Sequence, residues 1–266
     1  MQDINDQEIF KGAAWYYARF RRGYPVSFYK HIIKIFKLNK ESRALDLGTG
    51  TGQIAIPLSR IVKEVVAIDP DGEMLREGKS LALKKRISNI IWVKARAEDI
   101  SNKLGFFDVT TIGASFHWMD QDKVLEEVYK IANEGGGIVL VSNTSSIHRN
   151  RGNDAWKDVV LETIKKYLGE KRRAGKGYFN ETKDRYEDVL ARSRFTALET
   201  FQDKYVQKWD VDSIMGFLYS TSYAARRLFS GRIKEFENEL RENLLRLDKT
   251  GRFTETAVLE AIIGRK

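Results

Sequence analysis

Ala44-Leu45-Asp46-Leu47-Gly48-Thr49-Gly50-Thr51-Gly52-Gln53 runs an apolar segment into an acid, then turns through three glycines at alternate positions. Glycine alone tolerates positive φ cheaply, and a turn without side chains lets a ligand approach the backbone. The next residues, Gln53-Ile54-Ala55-Ile56-Pro57-Leu58, read as a helix with proline early, where a missing N–H costs little. A helix N-terminus behind such a turn suits a small polar ligand.

The spacing narrows the ligand. A dinucleotide turn is written G-x-G-x-x-G, its third glycine packing helix on strand. This chain has G-x-G-x-G, with Gln53 and Ile54 following the last glycine. A second apolar run, Glu64-Val65-Val66-Ala67-Ile68-Asp69, closes on an acid 21 residues after Gly48. An acid at that point of a βαβ unit accepts hydrogen bonds from ribose hydroxyls. Asp69-Pro70-Asp71-Gly72 also has the composition of a turn that caps the helix from Glu73. A third strand, Ile90 to Lys94, leads into Ala97-Glu98-Asp99, and a fourth, Phe107 to Ile112, ends in Gly113-Ala114-Ser115-Phe116-His117-Trp118. Gly135-Gly136-Gly137 then turns into a fifth, Ile138 to Ser142.

Taken in order, these elements resemble class I S-adenosylmethionine (SAM) methyltransferases, whose first motif is written [DE]-x-G-x-G-x-G. The resemblance covers residues about 40 to 145. Tyr17-x-Arg19-x-x-Arg22-Gly23-Tyr24-Pro25 further resembles the entry segment of the trans-aconitate-methyltransferase-like group. It implies an α/β fold: a Rossmann-like seven-stranded sheet, mostly parallel with the last strand antiparallel, under a helical cap. It also implies SAM as cofactor. Asp46, Gly48, Thr49, Gly50 and Pro70 would lie against it, with Asp69 on the ribose. Met74 would sit beside the adenine or in the core. Ala97 with Glu98 or Asp99 would read the adenine edge, and Ala114 and Phe116 would complete the pocket. Arg19 or Arg22 would reach the methionine carboxylate, with Tyr17 or Tyr24 beside it; Tyr17 and Arg22 are the pair carried forward.

Ligands in open α/β sheets bind beyond the carboxyl ends of the strands, so the tip at 116–118 faces the acceptor. His117 is the candidate general base there, its unperturbed pKa lying near neutrality; a structural hydrogen bond to a neighbouring loop is the alternative. Trp118, Tyr219 and Tyr223 are the candidate acceptor contacts, with Trp156 a further aromatic and His148 at the rim.

Composition sets limits. The chain has 266 residues, 42% of them hydrophobic, a net charge of +9 and no cysteine. Disulfides, thiolate zinc sites and cysteine nucleophiles are therefore excluded. No apolar run approaches the roughly 18 residues that span a bilayer, and the N-terminus lacks a signal-peptide pattern. A cytoplasmic protein without membrane attachment is expected. Basic residues cluster at Arg19, Arg21 and Arg22 and again at Lys165, Lys166, Lys171, Arg172, Arg173 and Lys176. Such runs read as solvated helix surface, and a nucleic-acid partner is not expected. The spacing shows no metal-ligand set.

The organisation reads as one domain, residues 1–266. Its core is residues 40–145 with strands near 196–209 and 254–263. The cap comes from two helices in 1–40 and from helices at 154–168, 186–194, 211–228 and 232–247. The expected function is methyl transfer to a small-molecule acceptor, at an O, N, S or C atom. An RNA or protein methyltransferase and a silent SAM-binding protein are the competing readings.

Overall fold

The computed structural model describes residues 9–143, 147, 154–174, 177–178 and 184–266. The chain divides into two compact units that interleave in sequence. Unit 1 comprises Met1–Arg21, Thr144–Glu181 and Lys204–Val258; unit 2 comprises Arg22–Asn143, Thr182–Asp203 and Leu259–Lys266.

Unit 2 is built on β1 (Arg43–Leu47), β2 (Glu64–Asp69), β3 (Ile90–Lys94), β4 (Phe107–Gly113) and β5 (Ala132–Asn143). These five strands pair in parallel in the order β3-β2-β1-β4-β5. Parallel strands covered on both faces read as continuous apolar runs. Accordingly, all but the first residue of β1 and of β2 is buried. The core gathers Leu45, Leu47, Ile68, Phe107, Ile112 and Leu140 with Val124, Leu125 and Val128 of the helix α5 described below.

Two long strands cross from one unit to the other. The hairpin strands β6 (Arg173–Ala174) and β7 (Gly177–Tyr178) precede β8 (Thr196–Asp210) and β9 (Arg252–Arg265) in the chain. The seven-stranded order is completed as β5-β9-β8, and β9 runs antiparallel to β5. This is the expected sheet. The glycine turn expected before β5 lies inside that strand instead: Gly135 has φ +77°, and a Cβ on Gly137 would land on the Gly264 carbonyl of β9. Small residues there let two backbones meet across an irregular register between Phe107 and Val109.

The helices of unit 2 are α2 (Val26–Phe36), α3 (Ala55–Leu58), α4 (Gly72–Lys84), α5 (Gln121–Ile131) and α7 (Tyr186–Ala191). Asp71 caps α4 by accepting from the Glu73 and Met74 N–H groups, and Asp120 caps α5 through Lys123 N–H. The helix expected from Gln53 is a single turn, α3. Ser59 Oγ donates to the Ile56 carbonyl at 2.8 Å and helps close it. The helix expected over 186–194 stops at Ala191, where Ser193 Oγ donates back to Leu190 at 2.7 Å.

Unit 1 holds α1 (Ala14–Phe20), α6 (Ala155–Leu168), α8 (Val211–Tyr219) and α9 (Ile233–Leu247). Its own core joins Trp156, Val160, Trp209, Ile214, Leu218, Phe229, Phe236 and Leu240. An Asp210/Ser213 capping box starts α8. Its expected run to Leu228 ends at Tyr219, because Ser220 and Thr221 hydroxyls donate to the Phe217 and Leu218 carbonyls. No helix among the described residues is long and apolar enough to cross a membrane.

Candidate active site

Strand order reverses between β1 and β4, and in open α/β sheets that switch point is where ligands bind. The carboxyl end of β1 is the glycine turn. Gly48, Gly50 and Gly52 take φ of +62°, +56° and +85°, so each glycine is used for a conformation other residues avoid. A Cβ on Gly48 would land on Ser115 Oγ, and one on Gly52 would lie 2.8 Å from the Trp92 ring. The turn is thus walled by the tip of β4 on one side and by Trp92 of β3 on the other.

Asp46 and Asp69 hold this turn from below and from the side. Asp46 is 1% exposed and accepts hydrogen bonds from Thr49 Oγ1 at 2.6 Å and Thr111 Oγ1 at 2.7 Å. The Asp46 carboxylate sits beneath the turn, where it ties Gly48-Thr49-Gly50 to β4. Asp69 accepts the Gly50 N–H at 2.8 Å through one oxygen and the Asp71 N–H at 2.9 Å through the other. A carboxylate has about four lone-pair positions, so each Asp69 oxygen keeps capacity for a further donor. Burial pushes both carboxyls up to about 6, against hydrogen bonds that pull them down. Tyr29, buried and beside the Asp46 charge, has its pKa raised; its hydroxyl donates to the Gln53 carbonyl at 3.1 Å.

This arrangement sets a pH dependence. A carboxyl whose folded pKa lies near 6, above its ordinary 3.8, holds a proton that the unfolded chain has already released. Its contribution is fully present below about pH 4 and is lost as pH rises through 6, by up to about 3 kcal/mol for such a shift. Urea unfolding of the wild type and Asp46→Asn at pH 4, 5, 6 and 7 is expected to show the wild type losing ground relative to the variant across that window. A flat difference would mean that Asp46 titrates normally.

The carboxyl end of β4 is the second wall. Ala114 adopts φ +52°, a strained value for a residue with a Cβ, while its N–H is held by the Val141 carbonyl at 2.9 Å. The bend drives Phe116 into the core, 1% exposed and edge-on to Tyr186 at 5.2 Å. His117 and Trp118, the next residues of the tip, are half-buried, with ring centroids 4.6 Å apart. His117 Nδ1 lies 3.1 Å from Tyr186 Oη of α7. Sequence reasoning missed Tyr186, which lies 69 residues further along the chain and carries no local motif. Tyr24, in the segment before α2, reaches the same wall: a Cβ on Gly113 would lie 2.7 Å from its hydroxyl.

The loop after β3 places Ala97 in the core and Glu98 half-buried, while Asp99 is exposed. Burial pushes Glu98 up, but the Asp120 N–H, its own N–H and Arg96 outweigh this and hold it below the usual range. Its Oε1 accepts the Asp120 N–H at 2.8 Å, pinning the loop to the start of α5. Pro70 is half-buried after Asp69, and Met74 is 3% exposed on the inner face of α4. Arg22 is exposed at the start of unit 2.

Tyr17, Trp156, Tyr219 and Tyr223 belong to unit 1. The Tyr17 ring carries the Arg21 guanidinium 4.9 Å from its centroid. Trp156 is buried, its Nε1 donating to the Thr254 carbonyl at 3.3 Å. Tyr219, expected at the acceptor, is buried with its hydroxyl donating to Glu237 at 2.8 Å. Tyr223 is 5% exposed under the Arg172 guanidinium. His148 and Lys176 lie outside the described residues.

Comparison with known proteins agrees with this geometry. Residues 44–136 match the family model described as methyltransferase domain. The chain is 30% identical over 113 residues to the uncharacterized methyltransferase YcgJ of Bacillus subtilis, covering 42% of this chain and 45% of that protein. It is 32% identical over 134 residues to the ubiquinone/menaquinone biosynthesis C-methyltransferase UbiE of Pectobacterium carotovorum, covering 48% and 53% respectively. The chain thus spans about half the length of the curated relatives it matches. Among solved structures, a putative type II methyltransferase from Anaeromyxobacter dehalogenans superposes with a TM-score of 0.63 at 20% identity, covering 92% of this chain and 97% of that one. That likeness extends the shared fold over nearly the whole chain. Residues 44–136 are thus similar to the methyltransferase-domain family, and the fold of nearly the whole chain is shared with a solved structure described as a putative methyltransferase.

Proposed function

We propose that this protein transfers a methyl group from SAM to a small-molecule acceptor. The observation that carries the reading is the glycine cradle between Ser115 and Trp92, with Asp69 fixed at its side. A nucleoside laid along the turn meets bare backbone, and Asp69 keeps lone pairs for two ribose hydroxyls. Asp99, the exposed acid of its loop, is the group to read the adenine edge, while Glu98 is committed to Asp120. Arg22 and Tyr24 are the unit 2 candidates for the amino-acid end; Tyr17 enters only through the resemblance.

SAM supplies, when bound, a methyl already activated toward nucleophiles. The chain's own residues then have to orient the acceptor, exclude water and accept a proton, and orientation alone lowers a barrier by several kcal/mol. His117 is the proton acceptor in this reading. If its Nδ1–H donates to Tyr186 Oη, Nε2 is the unprotonated ring nitrogen, so Tyr186 sets the tautomer. His117→Gln is expected to lower kcat about a hundredfold while the KM for SAM stays within about twofold. Turnover at the wild-type rate would place the base elsewhere.

The quinone-pathway name of one relative supports a small organic acceptor as the class to test first. Label transfer separates the readings. With methyl-labelled SAM and separate small-molecule, RNA and protein fractions of a cell extract, label is expected in the small-molecule fraction. Label in RNA or protein, toward which the charge of +9 would point, would overturn the acceptor class.

A further inference from the structure

The two halves of the glycine turn are held differently. The first half is fixed by the neighbouring strand: Thr49 N–H donates to the Ile68 carbonyl at 3.0 Å and Gly50 N–H to Asp69 at 2.8 Å. The second half bonds to its own neighbours. Gly52 N–H donates to the Thr49 carbonyl at 2.9 Å, and the Gln53 side-chain amide donates to Thr51 Oγ1 at 2.8 Å. From the sheet this half meets packing, supplied by Trp92, the central residue of β3.

Gly78 is buried in the middle of α4, where glycine is less favourable than alanine. A Cβ there would lie 2.6 Å from both Cζ3 and Cη2 of Trp92 and 3.3 Å from the Thr51 carbonyl carbon. A Cβ on Gly52 would lie 2.8 Å from the same Cη2 and 3.1 Å from the Ile56 side chain of α3. The outer edge of one indole thus occupies the space of two missing methyl groups, one on α4 and one on the turn. Helix, strand and turn meet at that edge, and a close-packed interior transmits a displacement to its neighbours. An indole is rigid and turns about only two torsions, so holding it in place costs little entropy.

We propose that Trp92 is a positioning residue for SAM: seated against Gly78 of α4, its indole presets Thr51 and Gly52 in the conformation that the nucleoside meets. This rests on the methyl-transfer reading and extends it to a side chain and a helix position outside the glycine turn. A turn that is already fixed does not have to be ordered by the ligand, which strengthens binding without any new contact. Gly78 then governs affinity through Trp92.

The test is calorimetric titration of the full chain with S-adenosylhomocysteine. Gly78→Ala must displace the indole edge or the Thr51 backbone, and it is expected to weaken binding at least about tenfold although alanine favours the helix. Trp92→Phe lacks the outer carbons that both glycines accommodate and should weaken binding about threefold. In the double variant Gly78→Ala/Trp92→Phe the new methyl fills the space that the shorter ring leaves, so affinity should return to within about threefold of the wild type. Trp92→Ala, which removes the ring, should weaken binding at least about tenfold and reads the same support if Gly78→Ala does not fold. Leu75→Ala, a buried change elsewhere on α4, should lower the unfolding midpoint and leave affinity within about twofold. Circular dichroism and unfolding midpoints confirm that each variant folds. A wild type that binds no S-adenosylhomocysteine would overturn the methyl-transfer reading and this inference with it. A wild type that binds it, with folded Gly78→Ala or Trp92→Ala binding equally well or the double variant binding no better than Gly78→Ala, would overturn this inference alone.

Discussion

Gly48→Ala is expected to weaken binding of S-adenosylhomocysteine by about a hundredfold or more. Gly48 sits at φ +62°, where a residue with a Cβ costs about 1–2 kcal/mol. The new Cβ would also fall on Ser115 Oγ and 2.7 Å from Ser115 Cβ. Neither side can withdraw freely. Ser115 is tied to the Leu47 carbonyl at 3.3 Å, and the preceding Ala114 is held on Val141. Across the gap, Thr49 N–H is fixed on the Ile68 carbonyl at 3.0 Å and Gly50 N–H on Asp69. The turn must therefore deform where the ligand would lie. Gly135→Ala is the control, because its φ is also positive but open space surrounds it. It should lose stability without losing affinity. Calorimetry and urea unfolding on both variants measure the two effects, and a Gly48→Ala affinity within threefold of wild type would remove the cradle from the account.

Lys157→Met is expected to destabilise unit 1 by about 3–5 kcal/mol, the range for leaving one member of a buried ion pair alone. Lys157 and Glu255 side chains are 6% and 1% exposed and in direct contact, and Asp154 approaches the same ammonium at 2.9 Å. Burial pulls the Lys157 pKa down, but the hydrogen bonds and charges of Glu255 and Asp154 outweigh it, and the pKa is raised. Without the ammonium, Glu255 keeps the Trp209 Nε1 hydrogen bond at 3.1 Å and an uncompensated charge in the core. The double variant Lys157→Met/Glu255→Leu should recover much of the loss, since a buried pair replaced by apolar groups is often neutral. Chemical denaturation of the three variants reads the coupling, and a single variant that costs under about 1 kcal/mol would contradict it.

The sheet and the turn were legible because each rests on local rules. Alternating glycines state where φ is positive, and acids closing apolar runs mark strand ends, so β1, the turn and β2 could be read from residues 44 to 69 alone. Helix ends were less legible. Nothing in the apolar spacing announces that Ser220 and Thr221 will turn their hydroxyls onto the end of α8, or that Ser193 will stop α7. Long-range partners were not legible at all. Trp92 read only as a strand residue, yet a Cβ on Gly52 or on Gly78 would strike its ring, which explains both glycines at once. Lys157 and Glu255, 98 residues apart in the chain, carry no local pattern that pairs them. Tyr186 meets His117 only after folding brings α7 to the tip of β4. Nor does the sequence say that Asp46 will accept from Thr49 and Thr111, or that Phe116 will pack on Tyr186, since both pairings depend on which face of a tight turn the side chain takes.

The central claim is that the turn at Gly48–Gly52 and Asp69 together bind SAM. Calorimetric titration of the full chain with S-adenosylhomocysteine and with NAD tests it most directly, with Asp69→Ala alongside. The account predicts one-to-one binding of S-adenosylhomocysteine, no heat with NAD, and a loss of about 1–3 kcal/mol in Asp69→Ala, the scale of hydrogen bonds to a charged group. NAD binding in place of S-adenosylhomocysteine, or an Asp69→Ala variant that binds as tightly as the wild type, would contradict it.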